Sequence, residues 1–291
     1  MSQPLSSLLS RISSLLKRSD DDSARSTPEQ IARRIALPFV DLAIPSTSIC
    51  WRNNLYFQHL YDLPRSALSG PIQEDKAEAH SFLANIVSKT IDTECIIDLR
   101  DIYGLSESVC GLQPLQSLES FATSDQCRHI RIISYRDFEK IITQAIPHFL
   151  SDQPISLRQA NWLGGHLFWA SEQYSCELAC AVVYAKRRGL DLPKRSYISR
   201  YALNSDALRT LQKHYHVLLM PEQAWADRQF MAILVDSSIP YARLTLTKSP
   251  EQREVLLLPR HKKLSDNLGK GLQLAGAFDA TETLLRLAEY R

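Results

Sequence analysis

Cys176 and Cys180 stand four residues apart in a segment whose periodicity predicts a helix, which puts both sulfurs on one face. His214 and His216 alternate onto one side of a predicted strand. Two thiolates and two imidazoles make a zinc-ligand set. Structural zinc is usually held by short cysteine pairs in loops, however, and two cysteines inside a helix read first as small buried hydrophobes. The expectation is therefore no metal and no cofactor, with Cys176, Cys180, His214 and His216 as the alternative ligand set. The zinc-deaminase pattern is missing: Leu167 and Phe168 follow His166, and the two cysteines are one residue too far apart.

His166 lies four residues after Trp162 and three before Trp169, a spacing that places it on an apolar helical stripe as a satisfied core histidine. The functional alternative makes it a base in a scattered enzyme site with Glu172 and Cys176, or a stacking platform with the two tryptophans. Asp98, Arg100 and Asp101 end a predicted strand, where α/β proteins place ligand-contacting residues. An arginine flanked by two acids reads more simply as a local ion-pair cluster.

No phosphate-loop, dinucleotide, nucleophile-elbow or zincin motif occurs in the chain. Nine glycines in 291 residues is about 3%, against the usual roughly 7%, so few loops can cradle a phosphate. The net charge of +2 hides an uneven distribution. In the second half Lys186, Arg187, Arg188, Lys194, Arg195 and Arg200 meet one acid, Asp191. That run is either a solvated helix end and loop or a phosphate-contacting edge.

The elements that must position these residues are legible in part. Leu5, Leu8, Leu9, Ile12, Leu15 and Leu16 follow helical spacing with serines and basic residues opposite, so the chain opens with an amphipathic helix whose apolar face suits a partner, the protein's own body or a membrane surface, and whose acid-poor composition also overlaps that of an organellar transit peptide. Asp20 to Ser26 make a polar linker. Thr27, Pro28 and Gln30 form a capping-box signature, so the folded body runs over 27–291, divisible into 27–150 and 151–291, and its first helix ends at Pro38. A helix over 78–87, strands over 95–98 and 128–134, and a helix capped by Ser134 follow. The chain turns helical from Ser156 with a break at Gly164 and Gly165, and Ser171 caps a helix that runs to Arg188 before Gly189. Then come 197–201, a helix from Ser205, a strand over 215–220, a helix started by Pro221, strands over 242–246 and 255–258, and two final helices, the last capped by Asp279.

The 44% hydrophobic share supports an ordinary packed core, and the whole reads as α+β: a mixed sheet with packed helices, plus the N-terminal amphipathic helix. No apolar run reaches the roughly 18 residues of a membrane span. Six cysteines without an N-terminal apolar leader read as reduced thiols of a cytoplasmic protein.

Asn161, Trp162 and Leu163, the helix up to Arg187-Arg188-Gly189-Leu190, the stretch from His216 to Pro221 with Trp225, and the stretch from Ile239 to Leu244 together resemble uncharacterised proteobacterial proteins of the domain-of-unknown-function kind. The resemblance implies a bacterial, soluble accessory protein and no particular activity. The resulting expectation is a non-catalytic protein acting by protein-partner recognition through the Leu5 to Leu16 helix face. Nucleic-acid association through the 186–200 run is the second reading, and the scattered enzyme site the third.

Overall fold

The computed structural model describes residues 27–44, 46–106, 116–236, 238–248 and 251–289; the predicted N-terminal helix lies outside them. Nine helices and eight strands occur among the described residues. Their order is α1 (Pro28–Arg34), α2 (Gln73–Leu83), β1 (Val87–Asp98), β2 (Ile102–Gly104), α3 (Leu118–Ala122), α4 (Tyr135–Ala145), β3 (Ile155–Ala160), β4 (Leu167–Trp169) and α5 (Ser175–Arg188). The chain continues with β5 (Pro193–Leu203), α6 (Ser205–His214), β6 (Tyr215–Met220), α7 (Arg228–Met231), β7 (Ala242–Thr247), β8 (Arg253–Pro259), α8 (Lys263–Leu274) and α9 (Ala280–Ala288). The fold is α+β, with a mixed five-stranded sheet in the order β1-β5-β3-β4-β2 and an antiparallel sheet β6-β8-β7. Strands from both sides of residue 150 share the larger sheet.

Local chemistry sets several boundaries. Thr27 accepts the Gln30 amide while the Gln30 side chain takes the Thr27 amide, a reciprocal cap that starts α1. Ser134 and Asp137 do the same for α4. α5 ends at Gly189, which takes the left-handed conformation (φ +64°) that a side chain would disfavour.

Apolar faces then assemble three layers. Leu157, Trp169 and Ile198 of the larger sheet bury against Phe138 and Ile142 of α4 and Leu178 and Val182 of α5. The opposite face, through Ala160, Phe168 and Leu203, meets Trp51, Phe57 and Leu60 and continues into Val217, Leu219 and Leu257, which joins the two sheets in one core. The far face of the smaller sheet, with Leu218 and Leu256, packs on Ile31 of α1 and Leu268 and Leu272 of α8. β6 is buried at every position because both its faces are covered, which explains its unbroken apolar run.

Several expectations are corrected. Residues 128–134 form no strand: the Asp137 carboxylate accepts the amides of Ile133 and Ser134 (3.1 and 2.8 Å), donors that a ladder would need. The helix expected from Ser156 is instead β3, held between β5 (parallel) and β4 (antiparallel), because pairing on both edges overrides helix propensity. α5 starts at Ser175, not Ser171, since Tyr174 at its N-cap is left-handed (φ +57°). α1 stops at Arg34, α2 ends at Leu83 so that Val87 can open β1, and Pro221 begins only a short 3-10 turn, Glu222–Trp225. Cys50 is disulfide-bonded, so the cysteines are not all reduced thiols. Among the described residues no helix is long and apolar enough to cross a membrane.

Candidate functional site

The thiols gather around α5. Cys176 donates to the Gln126 carbonyl (3.6 Å) and Cys180 to that of Ala122 (3.9 Å), while the Cys127 thiol lies within hydrogen-bonding reach of both. Burial pushes the Cys127 and Cys180 thiols up to about 11, so both are protonated at neutral pH. His214 and His216 do not join them. His214 is the exposed last residue of α6, bonded to the Thr210 carbonyl at 2.9 Å, and it does not share a strand face with His216. Among the described residues no group of three or more His, Cys, Asp or Glu is arranged to hold a metal ion.

His216 sits fully buried beneath α8, 2.8 Å from Asp266 and 3.3 Å from Arg260. Burial lowers its pKa, and the Arg260 charge adds to that against the opposing hydrogen bond from Asp266. The ring is therefore neutral, with Nε2 donating to Asp266 and Nδ1 buried without a partner. The nearby Ser265 hydroxyl donates to the Pro240 carbonyl at 2.7 Å. The pair of His216 and Asp266 locks α8 onto β6.

His166 is an exposed residue between a Gly164-Gly165 turn and β4, not a member of a buried helical stripe. Its ring stacks on Tyr103 at 4.1 Å and 12°. Glu172 pairs with Arg52, and Cys176 donates to the Gln126 carbonyl, so these contacts of the three residues lie with different neighbours. Asp98 accepts from the Arg100 amide and guanidinium and from the Leu192 amide, and the Arg100 side chain holds its carboxyl below the usual range. Arg100 also pairs with Asp191, and Asp101 is exposed. The cluster ties the end of β1 to the start of β5.

The basic run is largely committed internally. Lys194, 5% exposed, donates to the carbonyls of His148 (2.9 Å), Phe149 (3.0 Å) and Ser151. Its expected place on a phosphate-contacting edge is corrected by strand alternation, which turns Lys194 inward and Arg195 outward. Arg200 bonds Asp92 (2.5 Å) and Gln159, Lys186 pairs with Glu119 at 3.6 Å, and Arg188 lies over the Tyr184 ring.

Besides a cleft of about 470 Å³ lined by Met220, Trp225, Arg243, Arg253 and Glu254, two further surfaces are open to ligands. One is the open face of the larger sheet, a depression of about 600 Å³ lined by Ile91, Thr93, Ser156, Arg195, Tyr197 and Ser199. The other is an apolar pocket of about 530 Å³ walled by Leu55, Trp162, Leu163 and Leu287, with Ile44, Ser46, Thr47 and Arg286 also lining it. The pocket draws on the 44–55 segment, the turn after β3, and α9, which are far apart in sequence and carry no shared motif.

An α+β protein with two sheets joined through one core and with ligand-sized depressions is what these observations define. The chain belongs to the family of unknown function DUF6685, which it matches over residues 92–291. No curated protein and no solved structure matches it.

Proposed function

We propose that the protein acts by recognising a protein partner rather than by catalysis, and that the partner adds an extended apolar segment to the edge of β1. The observation that carries this reading is the exposure of Ile91 (57%) and Ile96 (72%) on a 12-residue edge strand. A β-bulge between Asp92 and Cys95 brings both isoleucines onto the open face, opposite Ser199 and Arg195, with Tyr197 (43% exposed) between these two on β5. An edge strand with free backbone groups and neighbouring apolar side chains is the surface used in strand addition. The Leu5 to Leu16 face is a second partner surface in this reading and lies outside the described residues.

Nucleic-acid association is less well supported, since Lys194 is buried and Lys186 and Arg200 are paired. The enzyme reading is weaker still, because His166, Glu172 and Cys176 each have a different neighbour.

The test places a photo-crosslinking residue at position 96 in cells that make the protein, with Leu150 (84% exposed) as the control position. The expected result is one adduct at 96 and none at 150, and a purified partner whose affinity falls at least about tenfold with Ile91→Asp and Ile96→Asp together. Equal adducts at both positions, or an affinity unmoved by the double variant, overturn the reading.

A further inference from the structure

We propose that the pocket between the 44–55 segment and α9 binds a single-headed alkyl carboxylate. Its volume of about 530 Å³ falls in the range of roughly 300–1,000 Å³ typical of small-molecule sites. Leu55, Trp162, Leu163 and Leu287 are each 5% exposed or less, so the wall is formed by fixed core side chains.

The polar atoms in that wall are already used. The Trp162 indole donates to the Leu55 carbonyl at 2.9 Å. Asn54 accepts the Ser48 amide (2.8 Å) and donates to the carbonyls of Ser48 and Cys50 (both 2.9 Å). A ligand body that offers hydrogen bonds to this interior would find none in return, so an alkyl chain fits it.

The mouth is different. Arg286 is the one charged residue among the described lining residues, and no acid lines the pocket with it. Its Nη2 donates to the Thr283 hydroxyl at 2.9 Å. Arg286 forms a loose ion pair with Asp41, whose Oδ2 lies 3.8 Å away, beyond hydrogen-bond length, and whose Oδ1 accepts the Leu42 amide (2.7 Å). Arg286 therefore keeps donors in a planar fork that matches a carboxylate. With part of its charge already answered by Asp41, the guanidinium suits a carboxylate rather than a phosphate dianion. Ser46 and Thr47 add hydroxyls to the same lining.

This inference stands on a different surface from the β1 edge, and the two fail separately: Ile91→Asp with Ile96→Asp leaves the pocket intact. The full chain is titrated by calorimetry with octanoate and decanoate below their aggregation concentrations, with decanol and decyltrimethylammonium as head-group controls. The expected result is saturable one-to-one binding of decanoate, at least about tenfold tighter than decanol, and no binding of the cation. Arg286→Gln weakens decanoate at least about tenfold and leaves decanol unchanged, while Arg286→Lys restores part of the loss. Decanol binding as tightly as decanoate, insensitivity to Arg286→Gln, or no saturable binding at millimolar decanoate each overturns the proposal. Arg286 is largely exposed (67%), and if its variant fails to fold the head-group comparison on the unmodified chain decides alone.

Discussion

A side chain at Gly269 would begin 2.5 Å from Cγ of the buried His216 ring, so α8 can lie on β6 only because residue 269 has none. The same close approach delivers Asp266, one turn earlier on α8, to His216 Nε2. Gly269→Ala must separate helix and strand, since the obstacle is a ring packed on every side. The expected loss is about 1–3 kcal/mol of stability, read from urea unfolding, with the slope of the transition unchanged. A variant as stable as the parent would mean that α8 can shift without cost.

Acid should weaken the fold before the carboxylates titrate. Burial holds both His59 and His216 below their ordinary value near 6.5, the nearby Lys248 and Arg260 charges contributing in the same direction. Below about pH 6.5 the unfolded chain binds more protons at these sites than the folded protein does, so stability rises with pH through that window and levels off above it. Urea midpoints are therefore expected to fall between pH 7 and 5.5. A flat profile there would show that both rings take up protons in the folded protein as readily as in the unfolded chain.

The thiol cluster around α5 should be chemically quiet. A rise from 9.0 to about 11 leaves Cys127 and Cys180 with about one-hundredth of the thiolate of a free cysteine at pH 7.5. Alkylation of these two in the native protein is expected to be slower by about that factor than in urea, as followed by mass spectrometry. Rapid native modification at either position would point to a functional thiol. Metal analysis of the purified protein is expected to show no zinc.

Lys194→Met tests the fate of the basic run. The side chain is buried against three carbonyls after α4, so its loss is expected to cost about 1–3 kcal/mol of stability. It should leave any binding to duplex DNA unchanged, because the ammonium is turned inward onto those carbonyls. Lys194 aside, Arg187 and Arg195 are the members of the run with no ion-pair or ring partner among the described residues, and two phosphate contacts give a salt slope no steeper than about −2. Fluorescence titrations at two salt concentrations measure this, and tight binding at 150 mM salt abolished by Lys194→Met would restore the nucleic-acid reading.

The sequence by itself determined the elements whose signals are local. Thr27 with Gln30 and Ser134 with Asp137 start helices because their side chains answer amides three residues away. Gly189 ends α5 for a reason confined to its own dihedral angles. The buried strand β6 showed itself because an apolar run over 215–220 can be covered on both faces. The α+β class follows from such signals taken together. The tertiary structure alone decided what depends on a distant partner. Residues 155–160 carry only a short alternation, Ile155 and Leu157 against Ser156 and Arg158, and pairing with β5 and β4 is what settles them as β3. Ile91 and Ile96, five apart, would face opposite ways in a regular strand, and a bulge set by pairing with β5 puts them together. Lys194 and Arg195 look alike in sequence, yet the sheet buries one and exposes the other. The Arg286 pocket joins segments more than a hundred residues apart, and no spacing rule can announce a cavity that exists only once three separate pieces of chain have packed.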